Sequence, residues 1–253
     1  HDFNFGSYGP SGVHAPSATP DGKGGVIVIF NMNPGLNTKG WNQIMTLPRR
    51  LSLWGKDKLG KDMLRIEPTG NVESLRTEHK KISNLVLPAN EEVLLENIQG
   101  NAIEIVAQID TKNTSMVELN VLRAPKREEF TRIIFYRARG FRNWERYTME
   151  EIRARLDTSD SLVTIDSSFS SLLPDALSRA PETGSLFMEP DELLDLRVFV
   201  DKSVVAVFVN QKLCVAMRVY PSLKNSTGVS LRAQGAEATL VSLDCWKMQN
   251  IYK

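Results

Sequence analysis

The sequence predicts an all-β fold in which a small open sheet precedes a two-layer β-sandwich. The strongest observation is the segment Leu196–Pro221, LRVFVDKSVVAVFVNQKLCVAMRVYP, whose three apolar runs are separated by two tight polar turns, Asp201-Lys202-Ser203 and Asn210-Gln211-Lys212. This is the pattern of an antiparallel meander. Its middle run, Val204–Val209, is apolar at every position, as expected of a strand covered on both faces. Its third run alternates Leu213, Val215, Met217 and Val219 with Cys214, Ala216, Arg218 and Tyr220. A second observation is that short strand-like runs recur between turn signals from residue 82 onward, the rhythm of a sandwich. A third is that the strands near the N-terminus have no second layer of their own.

Taken in order, residues 1–25 are rich in Gly, Ser and Pro, and Val26–Phe30 reads as a short buried strand before the turn Asn33-Pro34-Gly35. Gln43–Leu47 supplies another strand ahead of Pro48-Arg49-Arg50-Leu51-Ser52-Leu53. Such a sheet needs neighbours on both sides, as a propeller blade does, and should be unstable or sticky alone. A linker is expected over residues 63–81, with a turn at Pro68-Thr69-Gly70-Asn71 and a short helix placing Val72, Leu75 and His79 at helical spacing. The sandwich should then use Ile82–Leu87, Glu92–Asn97, Ala102–Ile109, Met116–Leu122, Thr131–Tyr136, Leu162–Asp166, the meander, Gly228–Ala233 and Ala238–Trp246. Residues 137–155 break the pattern with six arginines among Phe141, Trp144 and Tyr147, and Thr148-Met149-Glu150-Glu151 has capping-box spacing. Because Glu145, Glu150 and Glu151 offset the arginines, this insertion reads as a solvated helix face or a subunit contact rather than a nucleic-acid site.

Composition narrows the function classes. The 253 residues are 42% hydrophobic, enough for a sizeable core and room for two domains. Thirty-one basic side chains balance thirty acidic ones, so no global field draws the chain to nucleic acid, an anionic membrane or an acidic substrate, and a neutral sugar is the better partner. No apolar run is long enough to span a bilayer. The start, His1-Asp2-Phe3, has no initiator methionine or signal pattern and looks like a cut end. Cys214 and Cys245 fall on separate expected strands and read as small buried hydrophobes. Asn113-Thr114-Ser115 and Asn225-Ser226-Thr227 match the glycosylation pattern in turn-like contexts and hint at surface exposure, while the compartment, with secretion slightly favoured, is barely constrained.

No phosphate loop, zinc-spaced histidine pair or Cys-x-x-Cys is present, and His1, His14 and His79 are too scattered for a metal cage. No cofactor or metal is expected. Catalysis, if any, would rest on carboxylates, and no Asp or Glu stands in a strand-end context that singles it out.

Several segments, in shared order and spacing, resemble family-32 glycoside hydrolases, the invertases and fructanases that cleave β-fructofuranosides. Val13-His14-Ala15-Pro16-Ser17 looks like the family's Phe/Tyr-Tyr-Ala-Pro/Ser motif, and Val26–Phe30 resembles its strand ending in Gly-Trp. The run from Lys39-Gly40-Trp41 to Leu47-Pro48-Arg49-Arg50-Leu51 is similar to its Gly-Trp to Leu-Pro-Arg-Glu-Leu stretch, and Glu73-Ser74-Leu75-Arg76 to its linker. Asp166-Ser167-Ser168 to Ser171, Arg179-Ala180-Pro181-Glu182-Thr183-Gly184, the meander, and Ser242-Leu243-Asp244 to Trp246-Lys247-Met248 with Ile251-Tyr252 resemble its sandwich signatures. The family's Asn-Asp-Pro-Asn-Gly, Arg-Asp-Pro and Glu-Cys motifs, which carry the nucleophile, the transition-state stabiliser and the acid/base, do not occur here.

The resemblance implies the last part of a five-bladed β-propeller followed by a C-terminal β-sandwich: residues 1–62 as the closing part of the propeller, 63–81 as linker, 82–253 as sandwich. It also implies a β-fructoside substrate, sucrose or a fructan, a retaining two-carboxylate mechanism, no catalytic residue in this chain, and a companion polypeptide carrying the N-terminal blades. The chain alone should not hydrolyse sugar. His14 stands where the family has an aromatic, Phe30 where it has Trp, Arg50 where it has an acid, and Ala206 where a Glu is frequent. His14 as a hydroxyl partner and Phe30 as an apolar wall are the expected substrate contacts, with Trp41 and Trp246 as packing residues. The competing reading is a non-catalytic sandwich that binds carbohydrate or protein.

Overall fold

The computed structural model describes residues 12–40, 42–56, 60, 62–111, 114–139, 149–150, 160–177 and 181–251, and these build three antiparallel sheets. The first joins β1 (Val13–Pro20), β2 (Val26–Met32), β4 (Arg49–Lys56) and β5 (Asp62–Pro68) in that order, with β3 (Ile44–Met45) pairing the end of β2. The β1–β2 hairpin is set by the Asp21 carboxylate, which accepts from the amides of Lys23 (2.7 Å) and Gly25 (2.8 Å) and from Arg50 Nε (2.6 Å). Those amides, reinforced by Arg50, hold the Asp21 carboxyl down to about 2. Gly25 has to be glycine: a Cβ there would sit 2.8 Å from the Leu51 carbonyl.

The sandwich comprises two six-stranded sheets. One runs β12 (Glu182–Leu186), β11 (Ser161–Asp166), β10 (Thr131–Tyr136), β9 (Met116–Arg123), β16 (Gly228–Gln234), β7 (Glu92–Gln99). The other runs β15 (Leu213–Arg218), β14 (Val204–Val209), β13 (Leu194–Asp201), β8 (Ala102–Asp110), β17 (Ala238–Met248), β6 (Arg76–Leu87). Period-two alternation puts Ile103, Ile105, Ala107 and Ile109 of β8 and Val198 and Val200 of β13 against Val117, Leu119 and Val121 of β9 and Leu231 and Ala233 of β16. The meander forms with Phe199 opposite Ala206 and Ala206 opposite Ala216. Its β14–β15 turn takes Asn210 (φ 48°) and Gln211 (φ 54°) into the left-handed region, which matches the strand twist. The turn is clasped by Asn210 Oδ1 accepting from the Asp195 amide and Lys212 Nζ reaching Glu192 (2.7 Å).

β14 is covered on both faces. Val205, Val207 and Val209 enter the sandwich core, while Ala206 and Phe208, with Phe199, Cys214 and Ala216, meet Val13, Val28, Phe30, Met32 and Ile66 of the first sheet. Phe199 and Phe208 pack edge-on at 6.0 Å. At roughly 1.5–3 kcal/mol for each fully buried large side chain, this second cluster is the main bond between first sheet and sandwich. A charged cluster lies within the sandwich sheet and the turn leading into it: Glu104, fully buried, accepts from Arg76 (2.7 and 2.8 Å) and Arg197 (2.7 Å), and Arg197 also reaches Glu73 (2.6 Å). Both cysteines are buried and free; burial, then the Glu104 charge, pushes the Cys245 thiol up to about 12.

Several expectations are revised. The expected linker, residues 63–81, holds most of β5, a single 3-10 turn at Val72–Leu75, and the first half of β6. No helix reaches His79, because that residue lies in β6, where pairing along β17 satisfies the backbone in place of helical bonds. Four strands, β1, β4, β5 and β12, arise where none was anticipated. β1 tolerates Pro16 and Pro20 because it is an edge strand with a bulge between His14 and Pro16. The expected strand Gln43–Leu47 shrinks to Ile44–Met45. Trp41, Asn113 and most of the arginine-rich stretch 137–155 lie outside the described residues.

Candidate functional site

Two parts of the first sheet bear on function. At one end, β1 and β2 bring His14 opposite Asn31 and Pro16 opposite Phe30, with Ala15 (φ 46°) in the bulge between. Bulges re-aim side chains. Here the half-buried His14 has its Nε2 closed off from solvent, with no hydrogen-bond partner among the described residues. An unsatisfied buried nitrogen costs about 1–3 kcal/mol, so this is an imidazole with unused bonding capacity. Phe30 is 1% exposed; its ring lies in the cluster between first sheet and sandwich, with the Arg49 guanidinium 5.0 Å from its centre. Thr46 fixes the backbone there, its Oγ1 accepting from the Phe30 amide (3.2 Å) and its amide donating to the Phe30 carbonyl (2.9 Å).

The loop after β2 is tied to the sandwich. Tyr220 Oη accepts from the Gly35 amide (2.7 Å), the Leu177 amide donates to the Gly35 carbonyl (2.8 Å), and Arg218 donates to the Asn42 carbonyl (3.0 Å). The position of His14 and Asn31 relative to the sandwich is thereby set by partners more than 140 residues away along the chain.

Toward the other end the same sheet face is open. Pro16, Ala18, Val26, Val28, Leu53 and Leu64 line a cavity of about 470 Å³. Leu53 is 67% exposed and its neighbour Trp54 is 45% exposed. With almost no polar group, this hollow suits packing against protein better than a sugar, which needs placed donors and acceptors.

The four buried carboxylates among the described residues are already committed. Glu104 is held by two arginines. Glu118 accepts from Asn120 (2.8 Å) and Arg127 (3.2 Å), and Asp166 pairs with Arg132. Glu129, fully buried, accepts from Ser222 N and Oγ (3.0 and 2.8 Å), Leu223 N (2.7 Å), Ser226 Oγ (2.5 Å) and Leu172 N (3.2 Å). Burial raises the Glu129 carboxyl, but these donors outweigh it and hold it below the ordinary range. Such groups build structure. A retaining glycosidase needs two carboxyls about 5–5.5 Å apart facing the sugar, one of them free to exchange a proton. No group of three or more His, Cys, Asp or Glu among the described residues is placed to hold a metal ion. Trp246 is a packing residue, stacked on His79 at 4.8 Å with the Arg76 guanidinium 4.0 Å from its ring. The His14 nitrogen and the Glu129 clamp have no periodic signature and were invisible as such in the sequence.

Comparison with known proteins bears on this arrangement. Residues 71–247 match the family model described as glycosyl hydrolases family 32 C terminal. An insoluble isoenzyme of beta-fructofuranosidase from Arabidopsis thaliana is 24% identical over 84% of this chain and 39% of its own length. Sucrose-6-phosphate hydrolase from Escherichia coli is 27% identical over 78% of this chain and 35% of its own. The fold is shared with fructan 1-exohydrolase IIa from Cichorium intybus, at a TM-score of 0.77 and 16% identity over 98% of this chain and 49% of that one. It is also shared with exo-inulinase from Aspergillus awamori, at 0.70 and 17% over 95% and 44%. The chain thus spans less than half the length of these relatives. The family model covers β6 through nearly all of β17, the entire two-layer body described above, and the chain belongs to glycoside hydrolase family 32 through that family's C-terminal domain.

Proposed function

We propose that this chain is the C-terminal portion of a β-fructofuranosidase-like hydrolase acting on sucrose or fructans by a retaining mechanism, with nucleophile and acid/base on polypeptide outside these residues. The observation that carries the reading is that the likeness to a fructan exohydrolase takes in 98% of the chain, the first sheet included. The open apolar face around Leu53 and Leu64 supports it, since a neighbouring blade would cover such a face and an isolated sheet would not leave it bare. In this proposal residues 1–62 belong to the closing blade and 82–253 to the sandwich. Residues 63–81 connect them, with β5 completing the blade and β6 opening the sandwich.

His14 is the substrate contact we assign, on the ground that its Nε2 finds no hydrogen-bond partner among the described residues. Phe30, enclosed by Arg49 and the apolar cluster, serves the site from beneath by holding β2 against the sandwich. The required partners are a β-fructoside and the polypeptide bearing the N-terminal blades.

The test is to assay the full-length polypeptide carrying this chain beside the chain alone on sucrose, 1-kestose and inulin. The full-length protein should release fructose with its β-configuration kept, seen by proton NMR before mutarotation, and the isolated chain should release none. An active isolated chain would refute the placement of the carboxylates; a full-length protein that binds fructosides and never cleaves them would leave the sandwich a binding module. His14→Ala should raise KM by up to about tenfold, the worth of one neutral hydrogen bond. An unchanged KM removes His14 from the site.

A further inference from the structure

We propose that Asn225 is an N-glycosylation site whose glycan lies over the exposed apolar loop at Leu172 and Leu173. The triplet Asn225-Ser226-Thr227 has the acceptor pattern. The structure adds its presentation. Residues 224–227 form a turn leading into β16, and this turn is fastened from below by the Glu129 carboxylate. Ser226 is 2% exposed with its hydroxyl donating to Glu129, and Ser222 and Leu223 donate to the same group. With both flanks drawn inward, Lys224 and Asn225 are left exposed. The turn is further held by the Thr227 amide donating to the Asn225 carbonyl (2.9 Å) and the Gly100 amide to the Thr227 carbonyl (2.8 Å). Sugar attached here projects into solvent without unfolding a strand.

A separate observation points to the same place. Glu129 also accepts from the Leu172 amide, so the segment 169–177 is anchored on the carboxylate that anchors the Asn225 turn. That segment shows water Phe169 (52% exposed), Leu172 (54%) and Leu173 (39%), although its backbone is tied by the Phe130 amide to the Phe169 carbonyl and by the Leu173 amide to Ser171 Oγ. Ordered apolar side chains left in solvent mark a surface that something covers. The C–H faces of an oligosaccharide rooted on the adjoining turn are suited to that role, as an aliphatic cover that stays wet on its outer side.

The chemistry is a group transfer from a lipid-pyrophosphate-linked oligosaccharide. A bond forms between Asn225 Nδ2 and the anomeric carbon, the bond from that carbon to the pyrophosphate oxygen breaks with its electron pair leaving on the pyrophosphate, and the amide gives up one proton. Among the described residues no hydrogen bond engages the Asn225 amide, so nothing in the fold competes for it. At the other triplet, Thr114 is 2% exposed and donates to the Gln234 carbonyl, and Asn113 lies outside the described residues.

The experiment secretes the full-length polypeptide carrying this chain from a eukaryotic host alongside a control glycoprotein. Peptides are then mapped by mass spectrometry before and after peptide N-glycosidase. The peptide beginning at Asn225 should carry glycan, which is lost in Asn225→Gln and Thr227→Ala and kept in Thr227→Ser. A bare Asn225 in protein secreted beside a fully glycosylated control overturns the site. The removed glycan should also raise binding of a hydrophobic dye, and this rise should vanish in Leu172→Ser/Leu173→Ser. Dye binding that does not change on deglycosylation overturns the covering role.

Discussion

The first sheet and the sandwich are built from similar strands and differ in how many of their faces are closed. In the sandwich, each sheet turns its apolar face onto the other, so Leu231, Val198 and Ile105 lie fully enclosed or nearly so. The first sheet has a partner over only part of one face: Phe30, Met32 and Ile66 are sealed against β13–β15, while Val26, Leu53 and Leu64 open onto a hollow. The meander carries both relationships, because β14 and β15 present one set of alternate residues to each layer. A single sheet is therefore folded here by what it is docked on, and the rest of its apolar face stays open.

The comparison can be broken most severely by separating its halves. A chain beginning at Thr69 should fold with a cooperative urea transition yet bind hydrophobic dye strongly through Phe199 and Phe208, whereas residues 1–68 alone should show no stable sheet by circular dichroism. A folded 1–68 peptide would mean that the first sheet needs no partner. Within the whole chain, Leu231→Ala should cost about 2–5 kcal/mol by urea denaturation, the range for an enclosed leucine. Glu129→Gln should cost about 1.5–3 kcal/mol at neutral pH through its charge-assisted bonds to two loops.

The sign of the Glu129 effect with pH follows from the depressed folded-state carboxyl. The folded protein releases this proton more readily than the unfolded chain, so its contribution is complete above the ordinary carboxylate range and is lost as pH falls through the folded-state value. Wild type and Glu129→Gln should therefore converge in acid; a gap that stays constant would show that the charge is irrelevant. Tyr220→Phe, which removes the bond to the Gly35 amide across the seam, should cost about 0.5–1.5 kcal/mol. Smallest of all, Leu53→Ala should shift the isolated chain by less than about 0.5 kcal/mol. A loss as large as that of Leu231→Ala would show the open face to be covered already.

Much of the sandwich could be read in advance. The bounds of Thr131–Tyr136, the two-faced burial of Val204–Val209 and the alternation of Leu213–Val219 follow from side chains that point alternately to opposite faces, a relation between near neighbours. β1 escaped because an edge strand tolerates proline, and β4, an inner strand, because Arg49 and Arg50 obscure the period. The helical spacing of Val72, Leu75 and His79 misled because three residues cannot outweigh a long ladder with β17. Of the candidate site, His14 and Phe30 could be named from the family likeness, but their surroundings could not. The enclosure of Phe30 depends on Phe199 and Phe208, and the bare nitrogen of His14 on a bulge at Ala15.

By itself, then, the order of residues determined the all-β class, the meander, the buried cysteines and the family, since each is carried by local alternation or by motifs read in sequence. Tertiary structure alone decided the strand order of the three sheets, which face of β14 met which layer, and the convergence of Leu172, Ser222 and Ser226 on Glu129. It likewise decided that the first sheet leans on the sandwich and stays open beyond it. The physical reason is distance along the chain: hydrogen bonds such as Ser226 to Glu129 or Gly35 to Tyr220 join residues 97 and 185 positions apart, and no local pattern encodes a partner that far away.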